Sequence, residues 1–319
     1  MKFSRVLFVL VIASVSLAHS ADDIFPNKPI TIIVPGGPGG ASDVLARLWG
    51  QFLRDRWKQP VIIVNKPGAS GLIGMESLKN VAADGYTLGT AGSSSHASAP
   101  HVFKKLPYDP INDFDCVGTV ATAGAFAMVS TSSPFKSVAD LITYTKNNRD
   151  KVVYGYYNNF TQVPAALLKE RADIPIEGVS YKAVGTAITD LIGGHIQLLF
   201  LDYLTAAGQL SAGKLIPIAV TEQRRHPLLP NVPTLAETYP GFNVEGFVAI
   251  TAPRGIPKGI LTQLNQGLLD AQSDSAFKTA IEKTGATLVS STPDECRAFI
   301  LREIDRWRGW VKAARIEPQ

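Results

Sequence analysis

Short, uninterrupted apolar runs alternate with helix-spaced patterns along this chain of 319 residues. "ITIIVP" (Ile30 to Pro35) and "PVIIVN" (Pro60 to Asn65) are apolar almost throughout, as strands covered on both faces are. "YTLGTAG" (Tyr86 to Gly92) is a weaker third run. Between the first two, Val44, Leu45, Leu48, Trp49, Phe52 and Leu53 fall on one helix face. Strand, helix, strand, helix, strand predicts right-handed crossovers and a parallel sheet.

The pattern then restarts. "KSVADLITYTKNN" predicts a helix and "KVVYGYY" a strand; Gln162 to Arg171 predicts a helix, "IEGVSY" a strand, and Ala183 to Ile192 a helix. "HIQLLFL" and "LIPIAVT" predict strands around a helix at Leu204 to Ala212, so this second unit has its own parallel pattern. The proline-rich "RRHPLLPNVPTLAE" closes it, and "GFVAITAP" (Gly246 to Pro253) predicts a strand leading into the last helices. Thr292-Pro293-Asp294-Glu295 is a capping box with proline at the first helical position, opening a helix that runs to about Ala314. A long amphipathic helix after the second unit has to dock, and the first unit is the expected place. The expected architecture is α/β and two-lobed with a hinge. Lobe 1 covers 21–124, lobe 2 covers 125–246, and 247–319 returns to lobe 1, so the chain crosses twice. Ligands in such sheets sit beyond the carboxyl ends of strands, here between the lobes.

The first twenty residues form a separate unit. "MKFSR" is basic, Val6 to Ala18 is apolar but short for a membrane span, and small residues at Ala18 and Ser20 precede Ala21. This predicts a cleaved secretory signal at 1–20 and a soluble, exported mature protein. The formal net charge is +4, of which Lys2 and Arg5 supply two, and no Lys/Arg-rich run is present. No nucleic-acid footprint is expected. The two cysteines are Cys116 and Cys296. An oxidising compartment permits a bridge, but the sequence does not bring them together. Cys296 shares helical spacing with Phe299, Ile300, Ile304 and Trp307, which predicts a buried structural thiol.

Gly36 to Gly40 follow a strand and precede a helix, so their N–H groups can point outward together as an anion site. A P-loop needs Lys then Ser/Thr after its last glycine, whereas Ala41 and Ser42 follow Gly40. A dinucleotide turn needs a third glycine where Ser42 stands. A carboxylate needs only a few N–H donors, without a cation. Asp43, in the first helical turn, favours the helix dipole and would repel a bound anion, so its side chain is expected to turn away.

Enzyme signals are poor. "GASG" (Gly68 to Gly71) is one residue short of a nucleophile elbow, and Ser133 to Lys136 spells S-x-x-K with proline inside and no supporting motif. His96 and His101 lack the spacing of a helical metal pair, and His195 follows two glycines in a turn. No nucleophile–base pair can be named.

The chain resembles the Bug family of periplasmic substrate receptors of tripartite tricarboxylate transporters. The resemblance rests on "PNKPITIIVPGGPGGASDVLAR", "QPVIIVNKPGASGLIGMES", "AADGYTLGTAGSSS", "KLPYDPINDF", "YKAVGTAITDLIGGHIQLLF", "AGKLIPIAVT" with "LPNVPTLAE", and "APRGIPKGILTQLN". It implies a Venus-flytrap fold like type II periplasmic binding proteins, and a small carboxylate ligand delivered to a large and a small membrane subunit. By position it implies a first-lobe carboxylate loop at Pro35, Gly36, Gly37, Gly39, Gly40, Ala41 and Ser42. A second loop falls on Lys66 to Gly71, with Ala69 and Ser70, and a hydroxyl turn on Ser93, Ser94 and Ser95. The second-lobe loop falls on Tyr181 to Thr186, with Lys182, Ala183, Gly185 and Thr186.

Two departures bear on the ligand. Where the family often has a small Gly/Ser-rich loop, this chain has "YYNNFTQ", with Tyr156, Tyr157 and Phe160. These aromatics either narrow the cleft or stack on an aromatic acid, unless one or two belong to the core. Asn158, Asn159 and Thr161 could bind a distal polar group. Where the family often has aspartates, this chain has Gln197 and Leu201, with Asp202 one further on. The expectation is a non-enzymatic, monomeric, hinge-closing receptor in the periplasm, with no cofactor and no metal. The alternative is an exported sensor presenting the same carboxylate to a signalling partner; an enzyme on this fold is the third class.

Overall fold

The apolar runs become the strands of two separate sheets in the computed structural model, which describes residues 25–148 and 152–319. The expected leader at 1–20 lies outside the described residues. The chain first lays down β1 (Ile30–Val34), α1 (Ala41–Trp57), β2 (Val61–Asn65), α2 (Leu72–Lys79), β3 (Thr87–Gly92), α3 (Ala99–Val102) and β4 (Phe114–Gly124). It then builds β5 (Phe126–Ser130), α4 (Val138–Asn147), β6 (Val153–Tyr156), α5 (Asn159–Ala172), β7 (Glu177–Ser180), α6 (Val184–Gly193), β8 (Leu198–Leu201), α7 (Tyr203–Ser211), β9 (Leu215–Val220) and α8 (Leu235–Thr238). It closes with β10 (Glu245–Pro253), α9 (Lys258–Ser273), α10 (Ser275–Lys283), β11 (Thr287–Leu288) and α11 (Pro293–Ala313).

One sheet has the order β11-β4-β10-β3-β1-β2 and the other β7-β6-β8-β5-β9, giving two lobes. The parallel expectation holds within β1, β2 and β3 and within β6, β7 and β8. It fails for the strands that connect the sheets. β10 lies antiparallel between β3 and β4, and β5 lies antiparallel between β8 and β9. The cause is connectivity: β4 runs almost straight into β5 through Ala125, and the returning β10 lies back along β4. β2 also departs from expectation, because it is an edge strand and leaves Ile62 49% exposed.

The α1 stripe behaves as its spacing predicts. Leu45, Trp49 and Leu53 are buried against Ile30, Ile32 and Val34, while Leu48 and Phe52 are partly buried beside them. At the C-terminal end, Thr292 Oγ1 accepts from Glu295 N–H (3.2 Å) and Glu295 Oε2 accepts from Thr292 N–H (2.8 Å), closing the capping box. α11 then packs on β4 and on a π-helical turn at Ser93–Ser98, burying Cys296, Ile300, Trp307 and Val311. The expected free thiol is overturned: Cys296 forms a disulfide with Cys116 of β4, with Cα atoms 6.0 Å apart across 180 residues of sequence. Docking of α11 on β4 brings together two cysteines that the sequence holds apart.

The two chain crossings are stitched side by side. Thr221 Oγ1 accepts from Ala125 N–H (2.8 Å), Glu222 Oε1 from Gly124 N–H (3.0 Å), and Thr221 O from Val244 N–H (3.1 Å). A continuous apolar cluster runs from Ala91 and Ala97 through Ala127 and Phe200 to Trp307, so α5 and α11 also join the sheets.

Candidate functional site

The candidate loops leave the carboxyl ends of parallel strands, the end where such sheets open to a ligand. The first follows β1. Gly37 and Gly39 are exposed, and Pro35, Gly36, Gly40, Ala41 and Ser42 are half-buried. α2 approaches this loop closely because Gly74 has no side chain; a Cβ there would sit 2.8 Å from Pro35 Cα.

Asp43 turns inward and is 3% exposed. Its Oδ2 accepts from Gly39 N–H (2.9 Å) and Arg47 Nε (3.0 Å), and its Oδ1 from Asn65 Nδ2 (2.9 Å). Gly39 therefore has its amide spent inside the loop, and Arg47 has its charge spent on Asp43. Burial alone would raise the Asp43 carboxyl. Hydrogen bonds from Arg47, Gly39 and Asn65, with the Arg47 charge, outweigh burial and hold it below the ordinary carboxylate value. A carboxyl lowered by folding stabilises the protein above its unfolded value, and that stability is lost as pH falls through the lowered value. Asp43→Asn is therefore expected to flatten the acid limb of the stability curve below about pH 4, measured by urea unfolding across pH.

α1 opens on Gly40 with no side-chain cap, which leaves the N–H groups of Ala41 and Ser42 to outside partners. α2, after the second loop, also starts uncapped, on Gly71. That loop runs through four consecutive left-handed residues: Gly68 (φ 133°), Ala69 (46°), Ser70 (54°) and Gly71 (99°). Such backbone costs about 1–3 kcal/mol at each non-glycine position and is held here by its surroundings. Lys66 Nζ is drawn off to Ser77 Oγ (2.5 Å), and Ser70 Oγ donates to Asn159 Oδ1 across the lobes (3.1 Å).

The hydroxyl turn is more committed than its sequence implies. Ser93 Oγ accepts from Phe247 N–H (2.8 Å), Ser94 Oγ from Phe160 N–H (3.1 Å), and Ser95 Oγ from Gly92 N–H (3.3 Å). Ser93 and Ser95 are buried; Ser94 is half-buried. Asn159 had drawn notice only as a distal contact. It is buried and acts as a strut, donating to Ser98 Oγ (3.0 Å) and Ser94 O (3.4 Å) while accepting from Ser70. Its position at the start of a helix was readable; its serine partners, 61 to 89 positions away in sequence, were not.

In the second lobe, α6 starts on Ala183, again with no side-chain cap. Lys182, Ala183, Gly185 and Thr186 are exposed. Other helices cap themselves: α4 with Ser137, α5 with Asn158, α7 with Asp202, α10 with Asp274 and α11 with Thr292. Among the described helices of eight or more residues, α1, α2, α6 and α9 lack such a cap, and the first three follow candidate loops.

The departing segment is largely structural. Thr161 is buried and completes the Asn158 capping box. Tyr156 and Phe160 pack on the large shared cluster, and Tyr157 packs with Tyr181 and Tyr203 on the second-lobe cluster. Burial pushes the Tyr157 hydroxyl up. Asp202 is buried as well; its oxygens accept from Thr205 N–H (2.9 Å) and Thr205 Oγ1 (2.9 Å), and burial pushes its carboxyl up. Among the described residues, no group of three or more His, Cys, Asp or Glu side chains could hold a metal, and no helix is long and apolar enough to cross a membrane.

The chain matches the model of the tripartite tricarboxylate transporter family receptor, TctC, over residues 45–316. It is 33% identical over 321 residues to Protein BugT of Bordetella pertussis, covering 98% of each chain. Among solved structures it is similar to R. palustris Rpa4515 with adipate, at 31% identity and a TM-score of 0.89 over 92% of this chain and 100% of that one. The periplasmic binding protein BugD matches at 27% identity and a TM-score of 0.87, over 92% and 100% of the two chains. MatC (Rpa3494) from Rhodopseudomonas palustris with bound malate matches at 27% and 0.84, over 90% and 100%.

Proposed function

Since this chain belongs to the tripartite tricarboxylate transporter receptor family, a family of solute-binding receptors rather than enzymes, we propose that it captures a small carboxylate in the periplasm and delivers it to the membrane subunits of such a transporter. The observation that carries the ligand class is the pair of uncapped helix starts, α1 in the first lobe and α6 in the second. Each presents main-chain N–H groups and the positive end of a helix dipole, the arrangement that favours an anion. Beside the first-lobe loop Arg47 is spent on Asp43 and Lys66 is turned onto the Ser77 hydroxyl, so the amides are the donors this reading uses there. Relatives bound to adipate and to malate, both dicarboxylates, support this choice.

In this reading lobe 1 comprises 21–124 and 247–319, and lobe 2 comprises 125–246. The ligand carboxylate takes amides of Gly37, Gly40, Ala41 and Ser42 from one side and of Gly185 and Thr186 from the other. Only the closed state makes both sets of bonds, so binding draws the lobes together. Ser94, Ala69 and Ser70 line the first-lobe side, and Tyr156, Lys182 and Ala183 the second. The receptor works as a monomer.

A thermal-shift panel of mono-, di- and tricarboxylates, aromatic acids included, tests the ligand class. A bound acid at a hundred times its dissociation constant is expected to add about 2.7 kcal/mol of stability. Silence across the acids, with a response to nucleotides or sugars, would overturn the proposal.

A further inference from the structure

His96, in the Ser93–Ser98 turn, lines a cavity of about 70 Å³ in the first lobe, together with Phe114, Arg254, Leu261, Arg297 and Ile300. Its ring is fully buried and packs on Phe114 and Tyr108, with centroids 5.4 and 6.2 Å away. Nδ1 lies 3.0 Å from Ser95 Oγ, whereas Nε2 has no hydrogen-bond partner among the described residues. The His96 tautomer is tied to the direction of the Ser95 hydroxyl. Ser95 has two acceptors for its hydroxyl proton, His96 Nδ1 at 3.0 Å and Gly92 O at 3.4 Å. With the Ser95 hydroxyl donating to Nδ1, the shorter of these two contacts, Nε2 carries the hydrogen, and this is the tautomer the inference uses. Burial pushes His96 down to about 3, which keeps the ring neutral at working pH.

The charges around the cavity are unequally spent. Asp115 accepts from Arg254 Nη1 (2.8 Å), Gly255 N–H (2.6 Å) and Ile256 N–H (3.2 Å), so its oxygens are committed. Asp294 lines the edge and is exposed to solvent. Arg297, in the second turn of α11, donates to the neutral oxygens Ile111 O (2.5 Å) and Asn112 Oδ1 (3.3 Å). It forms no ion pair among the described residues. Two donors therefore line one cavity, and the Asp115 carboxylate that also lines it is already occupied. An anion accepts from both donors and offsets the guanidinium charge.

We infer that this cavity binds a small monovalent anion, a halide or a one- to two-carbon carboxylate, through His96 Nε2–H and the Arg297 guanidinium. The site lies apart from the uncapped helix starts but is linked to the hydroxyl turn through Ser95. An occupant that fixes His96 also fixes the Ser95 hydroxyl.

The test is a bromide soak of crystals of the full protein, with formate and acetate soaks as separate arms. Solution affinities come from chloride and acetate titrations at constant ionic strength. An anomalous bromine peak within hydrogen-bonding distance of both His96 Nε2 and Arg297 is expected, and Arg297→Gln should weaken chloride binding at least tenfold. Displacement of bromide by acetate would assign a carboxylate occupant; failure of displacement would assign a halide. Water alone at Nε2 in saturating bromide would overturn the inference, as would unchanged chloride affinity in folded Arg297→Gln. The wild-type soak decides the matter even where the variant fails to fold.

Discussion

Proline in place of Ala41 is expected to leave the fold intact and to weaken carboxylate binding by about tenfold to a hundredfold. Ala41 is the first residue of α1, a position where proline is tolerated because the N–H has no partner inside the helix. The residue before it, Gly40, has φ −78° and ψ 164°, the extended backbone that a following proline demands. The substitution thus removes one donor and adds no strain. A hydrogen bond to a charged group contributes roughly 1.5–3 kcal/mol, which sets the size of the loss. The same logic applies at the other helix start, where Val184 follows Ala183 at φ −139° and ψ 140°. Val184→Pro removes an amide outside the proposed second-lobe pair, Gly185 and Thr186, and should keep both the fold and the parental affinity. Calorimetric titration of a responsive dicarboxylate gives the affinities, and urea unfolding reports the fold. Ala41→Gly keeps the N–H and should bind like the parent. Folded Ala41→Pro with parental affinity would exclude the amide grip.

The uncapped starts were legible because their signal is local: a strand, a run of small residues, then helical spacing. The use of the amides was not. Gly39 looks like its neighbours in sequence, but Asp43 folds back onto its N–H, steadied by Asn65, which lies 22 positions away. The i,i+4 spacing of Asp43 and Arg47 could have shown that this carboxylate has a partner on its own helix. Much of β4 escaped notice for a different reason. Gly118, Thr119, Ala121, Thr122, Ala123, Gly124 and Ala125 have neither the bulk nor the alternation that marks a strand. Small residues suit this stretch structurally: a Cβ on Gly118 would lie 2.8 Å from Leu268 Cδ2, and one on Gly124 would lie 2.3 Å from Glu222 Cγ. The antiparallel hand of β5 and β10 is a property of how the chain crosses between sheets, which no single segment encodes. Tyr156, Tyr157 and Phe160 stand open between cleft and core in the sequence; all three pack against apolar clusters while staying partly buried.

Cys116→Ala/Cys296→Ala is expected to cause the largest loss of stability. The bond spans 180 residues, and between its ends lie all of β5 to β9 and the returning β10. Joining the ends of so long a segment restricts the unfolded chain by about 5 kcal/mol in the loop-entropy picture. That is comparable with the whole stability of many domains, about 5–15 kcal/mol. Cys296 is fully buried in α11 and Cys116 is buried at the wall of the small His96 cavity, so alanine adds a small cavity term in the same direction. The melting temperature should fall by on the order of 10 °C, at roughly 2–4 °C per kcal/mol for chains of 150–250 residues. Urea unfolding separates the two causes. Release of the constraint lets the denatured chain expand, which steepens the dependence on urea; a cavity alone lowers the midpoint and leaves the slope unchanged. Wild type unfolded in reductant should match the alanine protein closely, since only the cavity term divides them. Ligand affinity measured well below the melting temperature should survive, because neither cysteine lies in the candidate loops at the two helix starts. Equal midpoints for oxidised wild type and the alanine protein would show that α11 reaches β4 by packing alone and that the bond merely records the contact.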